Sequence, residues 1–264
     1  MASERTEELL AFDELIRYGF PADPKPGPPV WERPSDAQGE RSDCGSSLLP
    51  PRAPGSPRSL AGCDEAGRGA LAGPLAVGCV HLMIAAEQPP DRDRLLRELD
   101  GADDSKRLSP PRRNALFERI RRCARWGVGW ASPKEIDTLG LAAVLSIAAQ
   151  RAYRTMGIPV DLLLLDRGLT LSGEPIGAAP RPAELELTGG DGRSLHIACA
   201  SIVAKVIRDR WMTRCHTRFP GYGFADNKGY GTKIHRQALA TVGPSPVHRR
   251  SFCRRQLPMS PPLC

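Results

Sequence analysis

Short apolar runs alternate with glycine- and proline-rich turns between about residue 59 and about residue 252. Apolar runs of this length are typical of strands that are buried on both faces of a sheet. They predict strands at residues 74–83, 125–131 and 161–165, and a strand that ends at Asp64. A further strand is expected at residues 183–187. The four leucines of residues 161–165 place Asp166 at the carboxyl end of their strand.

Helical signals lie between these strands. Ser109 followed by Pro110 is a favourable helix start and predicts a basic helix to about Arg122. A helix from about Ala142 to Met156 is ended by the glycine and proline that follow it. Two more helices are predicted at residues 194–217 and 233–242. Strands interspersed with helices indicate an α/β domain with one central sheet that is covered by helices.

Residues 21–58 differ in composition from the rest of the chain. They contain ten prolines and almost no periodic apolar residues. Such a segment cannot bury enough apolar surface to offset the entropy lost on ordering. We therefore predict three regions: a disordered Pro-rich extension at residues 1–58, a folded domain at residues 59–253 and a short tail at residues 254–264.

A short amphipathic helix is predicted within the extension, with Ser3 as its N-terminal cap. The residues of its apolar face are Leu9, Phe12, Leu15 and Ile16. Two interpretations stay open at this point. The helix is either frayed and without a role, or it docks onto an unknown protein partner or onto the body of this chain.

Composition narrows the class of protein only slightly. The 264 residues are 41% hydrophobic, which is enough for a real core, and the formal charge of +7 weakly favours a polyanionic partner. The eight cysteines are scattered without a Cys-x-x-Cys pair, so we expect reduced thiols rather than a zinc site or a disulfide framework. Because no apolar run resembles a signal region or a membrane span, we expect a soluble cytoplasmic protein without a membrane partner. We also expect the protein to be a monomer.

Four carboxylates stand out by their positions. Asp64 and Glu65 lie where a strand runs into a glycine-rich turn, Asp166 follows four leucines, and Asp191 lies among glycines before a helix. In open α/β sheets, sites form where strand ends meet helix starts. Clustered carboxylates need cations, and hard oxygen ligands suit Mg²⁺ or Mn²⁺. From spacing alone, capping and solvated turn residues are the commoner interpretation of such carboxylates.

The identity of the flanking residues adds a resemblance to a known family. Residues 62–74, Gly-Cys-Asp-Glu-Ala-Gly-Arg-Gly-Ala-Leu-Ala-Gly-Pro, closely resemble the first motif of ribonuclease HII, a type 2 ribonuclease H. Further blocks match in the same order at residues 103–109, 163–166, 190–209, 220–224, 228–232 and 248–252. Together they cover most of residues 60–252, which argues strongly against chance agreement.

The resemblance implies a ribonuclease H-like fold with a central mixed β-sheet flanked by α-helices. It implies an endonuclease that hydrolyses the RNA strand of RNA–DNA hybrids and nicks DNA 5′ of embedded ribonucleotides. The implied mechanism uses two divalent ions, Mn²⁺ or Mg²⁺, and leaves 3′-hydroxyl and 5′-phosphate ends. The implied metal-binding and catalytic residues are Asp64, Glu65, Asp166 and Asp191.

The resemblance also implies substrate-binding residues. The backbone of Gly67, Arg68 and Gly69 would contact the 2′-hydroxyl group, which separates RNA from DNA, and Tyr230 would contact the RNA–DNA junction. Further expected contacts with phosphates or with the carboxylates are Ser105, Lys106, Lys205 and Arg208. The cluster His248-Arg249-Arg250 is interpreted as a phosphate contact, with a solvated surface as the alternative.

Two features depart from the family pattern. Arg167 follows Asp166 where the family often has glycine, and Asp191 lies 25 positions after Asp166, several more than is usual. We expect the extra residues, around 172–182, to form a surface loop. Rival interpretations are ribonuclease HIII, a nucleic-acid-binding protein without catalysis and a phosphatase-like two-metal enzyme. Arg68 between two glycines, the four carboxylates and the positive charge favour ribonuclease HII.

Overall fold

A computed structural model of the chain describes residues 3–17, 59–83, 89–171 and 181–253. Five strands form one sheet in the order β3-β2-β1-β4-β5. They are β1 (Leu60–Ala66), β2 (Leu75–Leu82), β3 (Ala124–Ala131), β4 (Leu162–Asp166) and β5 (Ala183–Leu187). β2 is antiparallel to β1 and β3, whereas β4 is parallel to β1 and β5. The predicted mixed sheet is therefore confirmed.

Helices cover both faces of this sheet. They are α1 (Glu4–Arg17), α2 (Pro89–Glu98), α3 (Pro110–Cys123), α4 (Pro133–Leu139), α5 (Leu141–Met156), α6 (Leu195–Arg218), α7 (Phe224–Asn227), α8 (Lys233–Val242) and α9 (Arg250–Cys253). The four helices predicted between the strands and after them correspond to α3, α5, α6 and α8, and the predicted N-terminal helix corresponds to α1. Helix α2, which lies before α3, was not predicted from the sequence.

The two main helices approach the sheet closely at glycines. A Cβ atom added to Gly78 on β2 would lie 2.4 Å from the Ala200 carbonyl oxygen of α6. One added to Gly129 on β3 would lie 1.9 Å from the Ala148 carbonyl oxygen of α5. Since any larger residue would push these helices away, the glycines set the distance of α6 and α5 from opposite faces. The close contact of α6 holds its first turns over the end of β1.

Helix α1 packs on the body of the protein. Leu9 and Leu10 are buried in the cluster that contains α3 and α6, and Ile16 packs with Leu60 of β1. The predicted N-terminal helix is therefore present, and docking onto the body is the interpretation that its contacts support. The Leu15 side chain and the predictions of disorder for residues 18–58 and of a loop at residues 172–180 lie outside the described residues.

Within the described part of the chain, each helix is too short or too polar to cross a membrane. The cysteines there, at positions 63, 79, 123, 199, 215 and 253, are free thiols. Burial raises the pKa of Cys63 and of Cys199 well above the usual value. These thiols therefore stay protonated and serve as core residues.

Candidate active site

Three carboxylates converge at the carboxyl ends of two neighbouring strands. Asp64 and Glu65 lie near the end of β1, and Asp166 is the last residue of β4. Because β1 and β4 are parallel and adjacent, their ends lie side by side. One oxygen atom from each of the three carboxylates lies within 4.8 Å of the others. Asp64 is only 3% exposed, whereas the other two are half-buried.

Asp191 flanks this group of three without being part of it. It lies in a 3₁₀ turn, Gly190–Gly192, directly before α6. The turn is tied to β4 because the Gly190 amide donates to the Asp166 carboxylate at 2.9 Å. The exposed Lys106 ammonium lies 3.7 Å from the Asp191 carboxylate. The structure therefore brings three of the predicted metal ligands together and holds the fourth beside them.

The carboxylates repel one another in a partly desolvated site. Burial raises the pKa of Asp64 well above its usual value, and the charges of Glu65 and Asp166 raise it further. Burial also raises the pKa of Glu65, which the Arg68 guanidinium opposes. The pKa of Asp191 is raised by burial and by the neighbouring Asp104 carboxylate. A bound cation would relieve this repulsion.

The donor set suits a hard divalent cation. The Glu65 Oε1 atom lies 2.8 Å from the Arg68 Nε atom, whereas its Oε2 atom is buried without a hydrogen-bond partner among the described residues. A buried carboxylate oxygen without a donor is costly unless a cation or water contacts it. Because the clustered ligand atoms are carboxylate oxygens, the residues present fit Mg²⁺ or Mn²⁺.

The glycine turn, residues 67–73, follows β1 directly. Gly67 is buried with φ at +90°, and a Cβ atom there would lie 2.0 Å from the Arg208 Nε atom. Gly69 is exposed, and a Cβ atom there would have open space around it. The Arg68 side chain pairs with Glu65 and donates to the Arg167 carbonyl at 2.8 Å. Arg68 thus joins the ends of β1 and β4 through its side chain.

Arg208 does not occupy the expected position. It is fully buried and donates to the carbonyl groups of Ala72, Pro74 and Lys228 at 2.9 to 3.1 Å. A guanidinium that is enclosed in this way cannot reach a substrate phosphate, so the prediction of a substrate contact for Arg208 is wrong. Its guanidinium group instead donates three hydrogen bonds to carbonyl groups of turns, which lack a partner in a helix or strand.

The basic cluster at residues 248–250 is corrected in the same way. Arg249 is fully buried and donates to the carbonyl groups of Arg68 and Gly73, both at 3.0 Å. His248 is 2% exposed, and only Arg250 lies on the surface. Arg249 therefore stabilises the glycine turn through its hydrogen bonds to the turn backbone and is not a phosphate contact.

The remaining predicted substrate residues lie around the first half of α6 and the turn after α7. The Lys205 Nζ atom lies 2.8 Å from the Asp209 carboxylate and 5.4 Å from the centre of the Tyr230 ring. Arg208 lies 5.3 Å from the same ring centre. Tyr230 is half-buried, so one part of the ring is held by cations while another part faces solvent.

Ser105 acts through a neighbour that the sequence did not single out. Its hydroxyl group is buried and lies 2.8 Å from the Ser201 hydroxyl group on α6. Ser201 in turn lowers the pKa of the Asp64 carboxyl and so opposes the effect of burial. Ser201 and Asp104 were not predicted as site residues. Each lies inside a matching block, which was the available signal.

Comparisons with known proteins agree with this geometry. Residues 61–255 match the sequence model of the family described as Ribonuclease HII. The Ribonuclease HII of Syntrophotalea carbinolica is 45% identical over 199 residues, which is 74% of this chain and 85% of that protein. The crystal structure of ribonuclease H2 from Pyrococcus horikoshii OT3 is 25% identical, with a TM-score of 0.57, and covers 75% of this chain and 96% of that one.

A second solved structure is similar to the same extent. It is the ribonuclease HII of Archaeoglobus fulgidus, determined as a complex with PCNA, at 26% identity and a TM-score of 0.57 over 72% of this chain and 93% of that one. The matching sequence model spans well over half of the chain and includes every carboxylate of the site. The chain therefore belongs to the ribonuclease HII family.

Proposed function

We propose that the protein is a metal-dependent endonuclease that hydrolyses the RNA strand of RNA–DNA hybrids and nicks DNA 5′ of an embedded ribonucleotide. The products would carry 3′-hydroxyl and 5′-phosphate ends. Family membership supports the general activity in this proposal, which is hydrolysis of RNA in RNA–DNA hybrids. The observation that carries the proposal is the convergence of Asp64, Glu65 and Asp166 beside the glycine turn.

Asp64, Glu65 and Asp166, with Asp191 beside them, are the residues that would hold divalent cations. Two divalent cations held there, Mn²⁺ or Mg²⁺, would supply the chemistry that activates a water molecule and stabilises the leaving 3′-oxygen. The carboxylates concentrate negative charge in a partly desolvated site. Because a bound cation neutralises this charge, the metal-bound state is favoured over the metal-free state. Ser201 lowers the pKa of the Asp64 carboxyl, and the Ser201 hydroxyl group donates to the Ser105 hydroxyl group at 2.8 Å.

The glycine turn would recognise the ribose. Backbone amide and carbonyl groups can bond a 2′-hydroxyl group, which is both donor and acceptor. Gly69 is exposed at the turn, and the backbone on either side is held in place by Arg208 and Arg249. A backbone that is fixed before substrate binds gains selectivity because little entropy is lost on binding. We assign the distinction between ribose and deoxyribose to Gly67, Arg68 and Gly69.

Phosphate and base contacts would come from residues near the same edge. The Lys106 side chain is 78% exposed and lies next to Asp191, so it can contact a phosphate close to the cations. Tyr230 and Lys205 would contact the strand at the RNA–DNA junction. As a working proposal, the protein acts as a cytoplasmic monomer on hybrids and on duplex DNA that contains ribonucleotides.

A duplex with one embedded ribonucleotide tests the proposal. We expect the wild-type protein to nick it 5′ of the ribonucleotide with Mn²⁺ or Mg²⁺ and to be inactive with a chelator. Asp64→Asn should lose at least about 100-fold in rate, because metal ions supply several kcal/mol of charge stabilisation. Binding of the variant to an RNA–DNA hybrid, measured by fluorescence anisotropy, should persist.

The possible results separate the alternatives. Full activity of Asp64→Asn would overturn the assignment of the site. A folded wild-type protein that binds a hybrid but makes no metal-dependent nick would be a nucleic-acid-binding protein without catalysis. Cleavage that requires a run of ribonucleotides would overturn the proposed activity at a single ribonucleotide while keeping ribonuclease H activity.

A further inference from the structure

Helix α1 precedes the matched residues 61–255, yet it contacts the two segments that flank the carboxylates. One is the loop of residues 100–107 between α2 and α3, which carries Asp104, Ser105 and Lys106. The other is the turn of residues 189–194 between β5 and α6, which carries Asp191. The proposed mechanism uses both segments but assigns no role to α1.

One guanidinium group joins the two segments. The Arg5 Nη2 atom donates to the Gly192 carbonyl at 2.6 Å, directly after Asp191 in the chain. The Arg5 Nε atom lies 3.7 Å from the Asp103 carboxylate, directly before Asp104. Neither contact involves a carboxylate of the site itself. Arg5 therefore restrains the backbone next to Asp191 and the residue next to Asp104 at the same time.

Hydrogen bonds from the start of α1 fix the 100–107 loop. The Ser3 amide donates to the Asp100 carboxylate at 2.5 Å. The Gly101 amide donates to the Thr6 hydroxyl group at 3.0 Å. A loop whose backbone groups are bonded to a neighbouring helix moves less than a solvated loop. The segment that carries Ser105 and Lys106 is thus attached to α1 at its beginning.

A buried pair fixes the helix against the first turn of α6. Asp13 and His196 are both 1% exposed. The Asp13 carboxylate lies 2.7 Å from the His196 Nδ1 atom and accepts from the His196 amide at 3.1 Å. These partners meet in only one register of α1. Since buried polar partners are costly when separated, alternative seatings of the apolar face of α1 are disfavoured.

We propose that α1 is a positioning element of the active site and that Arg5 is a positioning residue for Asp191. The apolar face of α1 anchors the helix, the Asp13–His196 pair sets its register, and Arg5 transmits that position to the two segments beside the carboxylates. The inference rests on the proposed function for the role of Asp191. It assigns a role in the active site to a helix that lies outside the matched residues 61–255.

The matched variants Arg5→Ala and Arg92→Ala test this inference in the full chain. Arg92 pairs with Glu14 of α1 at 2.8 Å, so its loss also removes an ion pair of α1 but touches neither segment. Mn²⁺ binding would be measured by electron paramagnetic resonance. We expect roughly tenfold weaker binding in Arg5→Ala, the lower end of the effect of losing a group that supports metal ligands. Arg92→Ala should match the wild type within about twofold.

Amide hydrogen exchange of the metal-free proteins gives a readout that does not depend on activity. Residues 189–194 should exchange faster in Arg5→Ala than in Arg92→Ala, which should resemble the wild type. Equal exchange and equal Mn²⁺ affinity in the two variants would overturn the inference. A wild-type protein that neither binds Mn²⁺ nor nicks its substrate would refute the proposed function, and the exchange comparison would still decide whether Arg5 restrains the turn.

Discussion

Arginine side chains near the site bond mainly to the protein itself. Arg68, Arg208 and Arg249 each donate to backbone carbonyl groups, and Arg68 also pairs with Glu65. Burial lowers the pKa of Arg249 to about 9, which leaves it protonated near neutral pH. Guanidinium groups suit this role because they carry several donors in a rigid plane. The glycine turn is consequently a fixed surface and not a flexible one.

Gly67→Ala and Gly69→Ala should differ sharply in stability. A methyl group at Gly67 meets the Arg208 side chain at 2.0 Å and requires a positive φ, whereas one at Gly69 meets open space. We expect Gly67→Ala to lower the free energy of unfolding by about 1–3 kcal/mol, the range for strained backbone positions. Gly69→Ala should stay within about 0.5 kcal/mol of the wild type. Urea unfolding measures both, and equal midpoints would contradict the described constraint at Gly67.

The locations of the candidate site residues were predictable where position along the chain decides them. Asp64, Glu65 and Asp166 follow apolar runs, and the structure brings them together as expected. Arg208 was misassigned because nearly all residues of α6 from Leu195 to Arg208 are buried, so periodicity cannot separate the outer face of the helix from its inner face. Ser201 contributes only through tertiary contacts, which a linear pattern does not reveal.

Secondary-structure elements were predictable in proportion to their apolar content. Strands β1, β2 and β4 and helices α5 and α6 bury apolar residues in recognisable runs. Helix α2, Pro89–Glu98, is highly charged, and α4, Pro133–Leu139, is only seven residues long with Ile136 as its buried residue. The capping box of Ser132 and Glu135 at the start of α4 is the local signal that was passed over.

Two histidines connect α8 to the segment before α9. The Nε2 atoms of His235 and His248 lie 3.0 Å apart. The His248 Nδ1 atom accepts from the Ser245 amide, so its Nε2 atom must donate to His235. The His235 Nδ1 atom then donates to the Tyr230 carbonyl at 2.9 Å. Both rings are neutral in this series of hydrogen bonds, which ends at the carbonyl group of Tyr230, a proposed substrate contact.

Protonation of the pair should destabilise the protein in acid. Burial lowers the pKa of His248 from 6.5 to about 4 and also lowers the pKa of His235. The unfolded chain therefore binds more protons, and this contribution to stability is complete above pH 6.5 and is lost as pH falls towards 4. His248→Gln keeps a donor for His235 but removes one titrating ring. The free energy of unfolding of this variant should depend less steeply on pH between about 4 and 6.5. An unchanged slope would contradict the lowered pKa of His248 as a source of the acid sensitivity.

The whole molecule combines a net positive charge with an acidic centre. The net charge of +7 suits a polyanion, although Arg208 and Arg249 contribute no surface charge because both are fully buried. The ordered blocks of the sequence predicted the family, which the comparisons confirm. The docking of α1 was not predictable to the same degree, since an amphipathic helix fits a partner protein as well as its own body.

Metal binding should stabilise the entire fold because the carboxylates come together only in the folded state. A ligand at a hundredfold excess over its Kd stabilises the fold by about 2.7 kcal/mol. At roughly 2–4 °C per kcal/mol for a chain of this size, Mn²⁺ should raise the Tm of the wild type by about 5–10 °C. Asp64→Asn removes one ligand and should show at most a small rise, and a chelator should reverse the effect in the wild type. Calorimetry measures each Tm, and an equal rise in both proteins would mean that Mn²⁺ stabilises the protein at a place other than this carboxylate group.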